Sequence, residues 1–341
     1  MQYNPSIPLF QFDESRWRIE PEAAFDAFLT EYSFAGRRLR PSSFVIYRGM
    51  FQRLRDWAIE QGIDLLDIRT TAIERFLDGR RLGAETRHRY LLFFNSLFEH
   101  LVILHSKRRD LENEAQNPAR YLLTSRPAPA RSDPDVLNEA EVQQFIAALP
   151  QGSKWKTVRD QALAQMVLGA GLRSAEVLAM KAVDVHCKDE VAVTVWVRAH
   201  APRPARKVPI HRWAAPAITE WLKLREIYSK GEAPPYRGKE QRLAGELLFP
   251  SGLSGGPLQP VTLFRLVKAT LQEAGIEKRY EGPTLLRNSC GALWLKHHAP
   301  QEVKLWMGHE QARTTELLLP PPARSNEGKT KRNGRGKPTA K

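Results

Sequence analysis

Three short stretches set side chains of ionic chemistry at regular spacing. Gly171-Leu172-Arg173-Ser174-Ala175-Glu176 reads as a tight turn feeding a helix, with arginine and glutamate three apart on one face. In Thr284-Leu285-Leu286-Arg287 the preceding Pro283 opens a helix on which Thr284 and Arg287 share a face, beside an apolar stripe of Leu286, Cys290, Leu293 and His297. Leu305-Trp306-Met307-Gly308-His309 ends in an imidazole and is followed by Thr314-Thr315. Guanidinium groups stay charged and donate two parallel hydrogen bonds, so the chemistry such residues suit is the holding of an oxyanion such as phosphate. Taken singly, each stretch has a plainer reading. Arg173 and Glu176 could be an ordinary helical ion pair, worth about 0.2–0.5 kcal/mol, and His309 a histidine at a helix end.

The elements that must position these residues are legible from periodicity. Phe44, Tyr47, Phe51, Leu54 and Ala58 follow Pro41-Ser42-Ser43 at helical steps, and Gly62 stops the run. Further helices are expected near Pro21 to Tyr32, from Thr70 through Phe76 to Gly79, and from Glu85 through Leu97 to Leu101. Together they form a helical bundle. Pro118, Pro127, Pro129 and Pro134 mark the text from Asn117 to Asp135 as an extended linker. A capped helix starts at Asn138 with Glu141, another spans Val158 to Leu168, and helical sequence resumes at Leu172. Two strands, over Glu190 to Ala199 and Arg206 to Ile210, enclose a stiff tip with two prolines. Helices follow at Ala214 to Ile227, Val261 to Ala274, Pro283 to His298 and Gln301 to Met307, with a short buried element at Gly245 to Pro250 after a loop rich in Lys, Gly and Pro.

In this order and at these separations the three stretches resemble the motifs of the tyrosine recombinases, the lambda-type phage integrase family. That family writes a G-L-R-x-x-E box, a β-hairpin bearing a lysine, an H-x-x-R box, an L-G-H box, and a tyrosine nine residues after the last histidine. The resemblance covers Leu137 to Leu319, and the bundle closed by Asn117-Pro118-Ala119-Arg120 is similar to the family's core-binding domain. It implies a mainly α fold with a small antiparallel β-sheet. The expected order is an N-terminal arm over 1–20, a helical core-binding (SAM-like) domain over 21–125 and a Pro-rich linker over 126–136. A mixed α/β catalytic-type domain over 137–319 and a basic, disordered tail over 320–341 complete it. It also implies that Arg173 and Arg287 clamp a DNA phosphate, that Glu176 supports Arg173, and that His309 donates to the phosphate or helps proton transfer.

The pattern breaks at two roles. Nine residues after His309 stands Leu318, and all eight tyrosines, from Tyr3 to Tyr280, precede the last box. Thr284 replaces the H-x-x-R histidine and cannot shuttle a proton near neutral pH. Where the family places its hairpin lysine this chain offers Arg198, His200, Arg203, Arg206 and Lys207, and an arginine cannot give up its proton there.

Composition bounds the rest. The chain has 341 residues, 42% apolar and 26% charged, enough for one large or two ordinary domains and inconsistent with wholesale disorder. Cys187 and Cys290 are too few for a disulfide framework and lack metal-ligand spacing, so no metal or cofactor is expected. No apolar run reaches about 18 residues and the first residues carry no leader pattern, which points to a cytoplasmic, nucleoid-associated protein without a membrane. The net charge of +14 points to a polyanion, and seven basic residues against Glu327 lie in the last nineteen positions, from Ala323 to Lys341. Arg48, Arg53, Arg87 and Arg89 on the bundle, with Arg198, Arg203, Arg206 and Lys207 in the hairpin, are the candidate DNA contacts. The partners expected are double-stranded DNA and other recombinase subunits. The leading reading is a site-specific DNA-binding protein of recombination or integration that lacks its own nucleophile. A non-recombining DNA-binding regulator, and a subunit receiving its tyrosine in trans, are the alternatives.

Overall fold

Aromatic side chains at helical spacing organise the first of two compact units, residues 1–131. The computed structural model describes residues 16–31, 33–34, 37–39, 41–105, 117–125, 133–200 and 203–319. Most of the expected N-terminal arm, most of the linker, the hairpin tip at Ala201-Pro202 and the basic tail lie outside the described residues. Helix α1 (Pro21–Glu31) buries Phe25, Phe28 and Leu29. A two-residue ladder of β1 (Ser33–Phe34) and β2 (Arg37–Arg38) leads to α2 (Pro41–Glu60). Phe25 and Phe51 stack with ring centroids 4.1 Å apart. Gly62, at φ +65°, ends α2 by letting the Ile63 amide reach back to the Ala58 carbonyl. Phe76 of α3 (Thr70–Asp78) meets Phe94 of α4 (Ala84–His105) at 5.7 Å between centroids.

The next segment differs from the sequence expectation. Arg120–Ser125 is a short helix, α5, inside the text read as extended. Its cause is an anchored cap: the Asn117 side-chain oxygen accepts from the Ala119 and Arg120 amides while its amide nitrogen donates to the Asn95 carbonyl at 2.7 Å. Ala119 and Leu122 then bury in the bundle core. Residues 133–136, also read as linker, run into Leu137, where the second domain is expected to start, and are tied to the second unit. Leu137 is buried and its amide donates to Ser289 Oγ at 2.7 Å, and the Tyr280 amide donates to Asp135.

The second unit, residues 132–341, is built around one buried helix. After α6 (Glu139–Ala147), capped reciprocally by Asn138 and Glu141, α7 (Trp155–Ala170) buries every residue from Ala162 to Ala170. Gly169 lets it approach the next layer, since a Cβ there would lie 2.4 Å from that of Ala214. Helix α8 (Ser174–Leu178) is shorter than the sequence suggests. Three antiparallel strands follow, β3 (Val185–Lys188), β4 (Val191–Val197) and β5 (Arg206–Pro209), with Trp196 opposite Lys207 and Val197 opposite Arg206. Strand β3 escapes sequence reading because it is an edge whose side chains are mostly exposed, without the alternation that signals a strand.

Helix α9 (Ala215–Lys230) covers the sheet. The Lys/Gly/Pro-rich loop then contains a hairpin, β6 (Ala233–Tyr236) with β7 (Lys239–Gln241). Its turn residues Arg237 and Gly238 both have positive φ, +52° and +72°, the twist that suits a two-residue hairpin loop. Helices α10 (Pro260–Glu273), α11 (Pro283–Trp294), α12 (Pro300–Met307) and the unanticipated α13 (Ala312–Glu316) complete the unit.

Gly171 ends α7 at φ +61°, where a Cβ would meet Met307 Sδ at 2.7 Å and Cys290 Sγ at 3.2 Å. Gly171→Ala is therefore expected to destabilise the second unit by about 1–3 kcal/mol, read as a lower melting temperature. Gly79→Ala, at φ −65° with ordinary clearance, is expected to stay within about 0.5 kcal/mol of the parent.

Candidate functional site

The left-handed turn at Gly171 buries Leu172 and delivers Arg173 to the first turn of α8. There the carboxylate of Glu176 gathers donors from two directions. The Arg173 amide and Nη1 each donate to it at 2.9 Å, and Arg206 on β5 donates through Nη1 at 3.0 Å and Nη2 at 2.8 Å. Burial pushes the Glu176 carboxyl up, but the hydrogen bonds from Arg206 and Arg173 outweigh it and hold the pKa at about 2.

The guanidinium groups also find carbonyls at helix ends, the oxygens that lack a partner within their helix. Arg173 Nη2 donates to Gly308 O at 2.6 Å and Arg206 Nε to Trp306 O at 2.8 Å. Arg287 of α11 donates to Gly171 O, at the end of α7, and to Met307 O, at the end of α12. Such ends carry partial negative charge and suit cations. Gly308, at φ +60°, makes the approach possible, because a Cβ there would lie 2.9 Å from the Arg206 guanidinium carbon.

Three guanidinium groups face one carboxylate, and the excess positive charge is visible in the neighbours. Arg287 is 7% exposed, and burial, with Arg173 and Arg206 adding, pushes its pKa down to about 9. Burial, then Arg287, Arg173 and Arg206, press His309 down to about 4, so its imidazole is neutral at pH 7. His309 follows the left-handed Gly308 and its Nδ1 lies 2.9 Å from Thr315 Oγ1 of α13. The arrangement can bind an oxyanion, with a neutral imidazole beside it.

Among the residues singled out by sequence, Arg173, Glu176, Arg287 and His309 come together, and Arg203 is close enough to lower the pKa of Arg173. Arg206, a candidate DNA contact by sequence, lies on the buried face of β5, bonded to Glu176 and Trp306 O. Lys207 points to the other face, where it is exposed opposite Trp196, which sets it apart from the carboxylate. Arg198 pairs with the buried Asp184 at 2.7 Å. On the bundle, Arg48 pairs with Asp26 and Arg87 with Asp78, whereas Arg89 makes no ion pair among the described residues and Arg53 donates to the Tyr90 hydroxyl. Thr284 is exposed in the first turn of α11. Leu318 is 5% exposed and packs with Val303 and Met307; a Cβ on Gly291 would lie 2.6 Å from its Cδ1.

Sequence reasoning missed the roles of Arg206 and Thr315, since strand register and a one-turn helix decide them. No cluster of three His, Cys, Asp or Glu side chains that could hold a metal ion occurs among the described residues. None of their helices is long and apolar enough to cross a membrane.

The model of the phage integrase family matches residues 135–317. Tyrosine recombinase XerD of Corynebacterium glutamicum is 27% identical over 287 residues, 82% of this chain and 88% of that protein. Tyrosine recombinase XerC of Halalkalibacterium halodurans is 30% identical over 204 residues, 59% and 62% of the two chains. The fold is similar to that of the XerH site-specific recombinase bound to a palindromic difH substrate in a post-cleavage complex, with TM-score 0.60 and 18% identity over 87% of this chain and 80% of that one. It is similar also to a lambda integrase dimer bound to a COC′ core site, with TM-score 0.58 and 17% identity over 91% and 96%.

His309 gives a pH prediction with a definite sign. Its folded pKa of about 4 lies below the ordinary 6.5, so as pH falls through that interval the unfolded chain takes up the proton first and stability is lost. The difference in unfolding free energy between His309→Gln and the parent should therefore shift in favour of the variant below pH 6.5. A ring titration by NMR with its midpoint near 6.5 in the folded chain would contradict it. Glu176→Ala, which leaves the buried Arg287 and the half-buried Arg173 and Arg206 facing no carboxylate, is expected to cost about 3 kcal/mol in denaturant unfolding.

Proposed function

Because the chain belongs to the phage integrase family, we propose that it binds a specific DNA site and acts in recombination or integration without forming a phosphotyrosyl intermediate of its own. The observation that carries this reading is Leu318. Its position, nine residues after His309, is where the family pattern sets the nucleophile, and its side chain is packed between Met307 and Gly291. A leucine has no lone pair with which to attack phosphorus.

In this reading Arg173 and Arg287 neutralise the charge on the non-bridging oxygens of a DNA phosphate, with Glu176 and Arg206 as positioning residues and His309 as a neutral hydrogen-bonding partner. The anion would also raise the depressed pKa of His309, since its charge opposes that of the three arginines. Thr284 contributes a hydroxyl and no proton transfer near neutral pH. The phosphate clamp is present, and the nucleophile and the leaving-group acid are not.

Double-stranded DNA and further recombinase subunits are the proposed partners. Support comes from the relatives, whose names and structures describe recombinases and DNA-bound complexes, a lambda integrase dimer among them. Residues 21–125 would then serve as the core-binding domain and 137–319 as the catalytic-type domain.

Incubation with a nicked suicide duplex carrying a selected binding site is expected to yield no covalent protein–DNA adduct. An adduct from the parent chain would overturn the reading. Leu318→Tyr is expected to gain an adduct, slowly, because the ring must leave a pocket fitted to leucine. Binding itself should weaken by about 0.9 log units per log unit of salt for each phosphate neutralised, and a flat profile measured by anisotropy would remove DNA as the ligand.

A further inference from the structure

The turn that leaves α12 holds His309 by its backbone and by its ring. Gly308 turns the chain at φ +60°, and the His309 amide donates to the Lys304 carbonyl at 3.1 Å. On the ring, Nδ1 lies 2.9 Å from Thr315 Oγ1. Thr315 is delivered by α13, and that helix is secured by Leu318, whose amide donates to the Thr315 carbonyl at 3.0 Å and whose side chain packs with Val303 and Met307.

Which of the two atoms carries the hydrogen follows from burial. Thr315 is 1% exposed, and its hydroxyl has no second hydrogen-bond partner among the described residues. Thr270, also buried, instead donates to the Leu266 carbonyl four residues back. If Nδ1 were the donor, the Thr315 hydroxyl hydrogen would be left unpaired in the interior, an unfavourable burial of a polar group. The hydroxyl must therefore donate, and Nδ1 must offer a lone pair. A protonated imidazole has none to offer. Burial, with Arg287, Arg173 and Arg206 adding, supplies the neutral ring that this bond needs. With Nδ1 bare, the single ring hydrogen sits on Nε2, which finds no acceptor among the described residues and is not sealed from solvent.

We infer that Thr315 is a positioning residue: its hydroxyl locks His309 in the Nε2–H tautomer, so that the ring can only donate towards an anion held by Arg173 and Arg287. The inference rests on the phosphate-binding reading above and deepens it, since it names what sets the direction of the His309 hydrogen bond. A ring free to exchange tautomers would spend part of its time presenting a lone pair to the phosphate, and two acceptors repel.

The test labels the histidines of the full chain with a nitrogen isotope, assigns His309 by the signals lost in His309→Gln, and reads the two-bond proton–nitrogen pattern at pH 7. The parent should show a protonated Nε2 and a bare Nδ1. Thr315→Ser, which keeps the hydroxyl, should show the same pattern, and Thr315→Val, which keeps the shape, should show both tautomers in exchange. Thr314→Val, exposed in the same turn, should change nothing. Anisotropy with a duplex carrying a selected site separates positioning from packing. Thr315→Val should weaken binding by about two- to tenfold, the net worth of one hydrogen bond, in the parent and not in a His309→Gln background. Equal weakening in both backgrounds would make Thr315 a packing residue and overturn the inference. The parent spectrum can overturn it without any variant, if the hydrogen is found on Nδ1. A fixed Nε2–H ring in a chain that binds no duplex would uphold the tautomer and overturn the DNA reading.

Discussion

One carboxylate holds the second unit's functional corner together. Glu176 accepts from the backbone and side chain of Arg173 and from both terminal nitrogens of Arg206, and so joins the turn after α7, helix α8 and strand β5. Two charges that would otherwise repel across a few ångströms are kept parallel by a single counter-ion. Its low pKa, about 2, means that this junction persists over the whole range in which a nucleic acid would be bound.

The rest of the charge is balanced by geometry. Gly308 O, Trp306 O, Met307 O and Gly171 O belong to the C-terminal ends of two helices, and each accepts from a guanidinium. Two left-handed glycines terminate those helices and allow the approach. Positive charge remains in excess, which depresses both His309 and Arg287. A site in that condition is prepared for an anion before one arrives, because the cost of gathering the cations is met by folding.

Much of this was legible in the sequence. Helical periodicity located α2, α3, α4 and α7, and the order of the boxes pointed to Arg173, Glu176, Arg287 and His309. The misses have physical causes. Helix α5 depends on an asparagine cap whose partner, Asn95, is remote in sequence. Strand β3 is an exposed edge, and the hairpin of β6 and β7 is set by two residues of positive φ in a proline-containing text that reads as loop. Arg206 and Lys207 are neighbours of the same charge, and only strand register sends one to Glu176 and the other outward. No pattern of residue types distinguishes a surface cation from an internal one when the acid it meets lies thirty positions away.

Leu318 has a structural task. It closes a small apolar cluster with Val303 and Met307 and tolerates no added atom at Gly291, so it fastens the last described turn of the second unit to α11 and α12. A tyrosine there would have to leave the cluster before its hydroxyl could reach a phosphate, and would loosen the fastening as it did so. The grip of this side chain on its neighbours and the reach of any hydroxyl set in its place are therefore opposed.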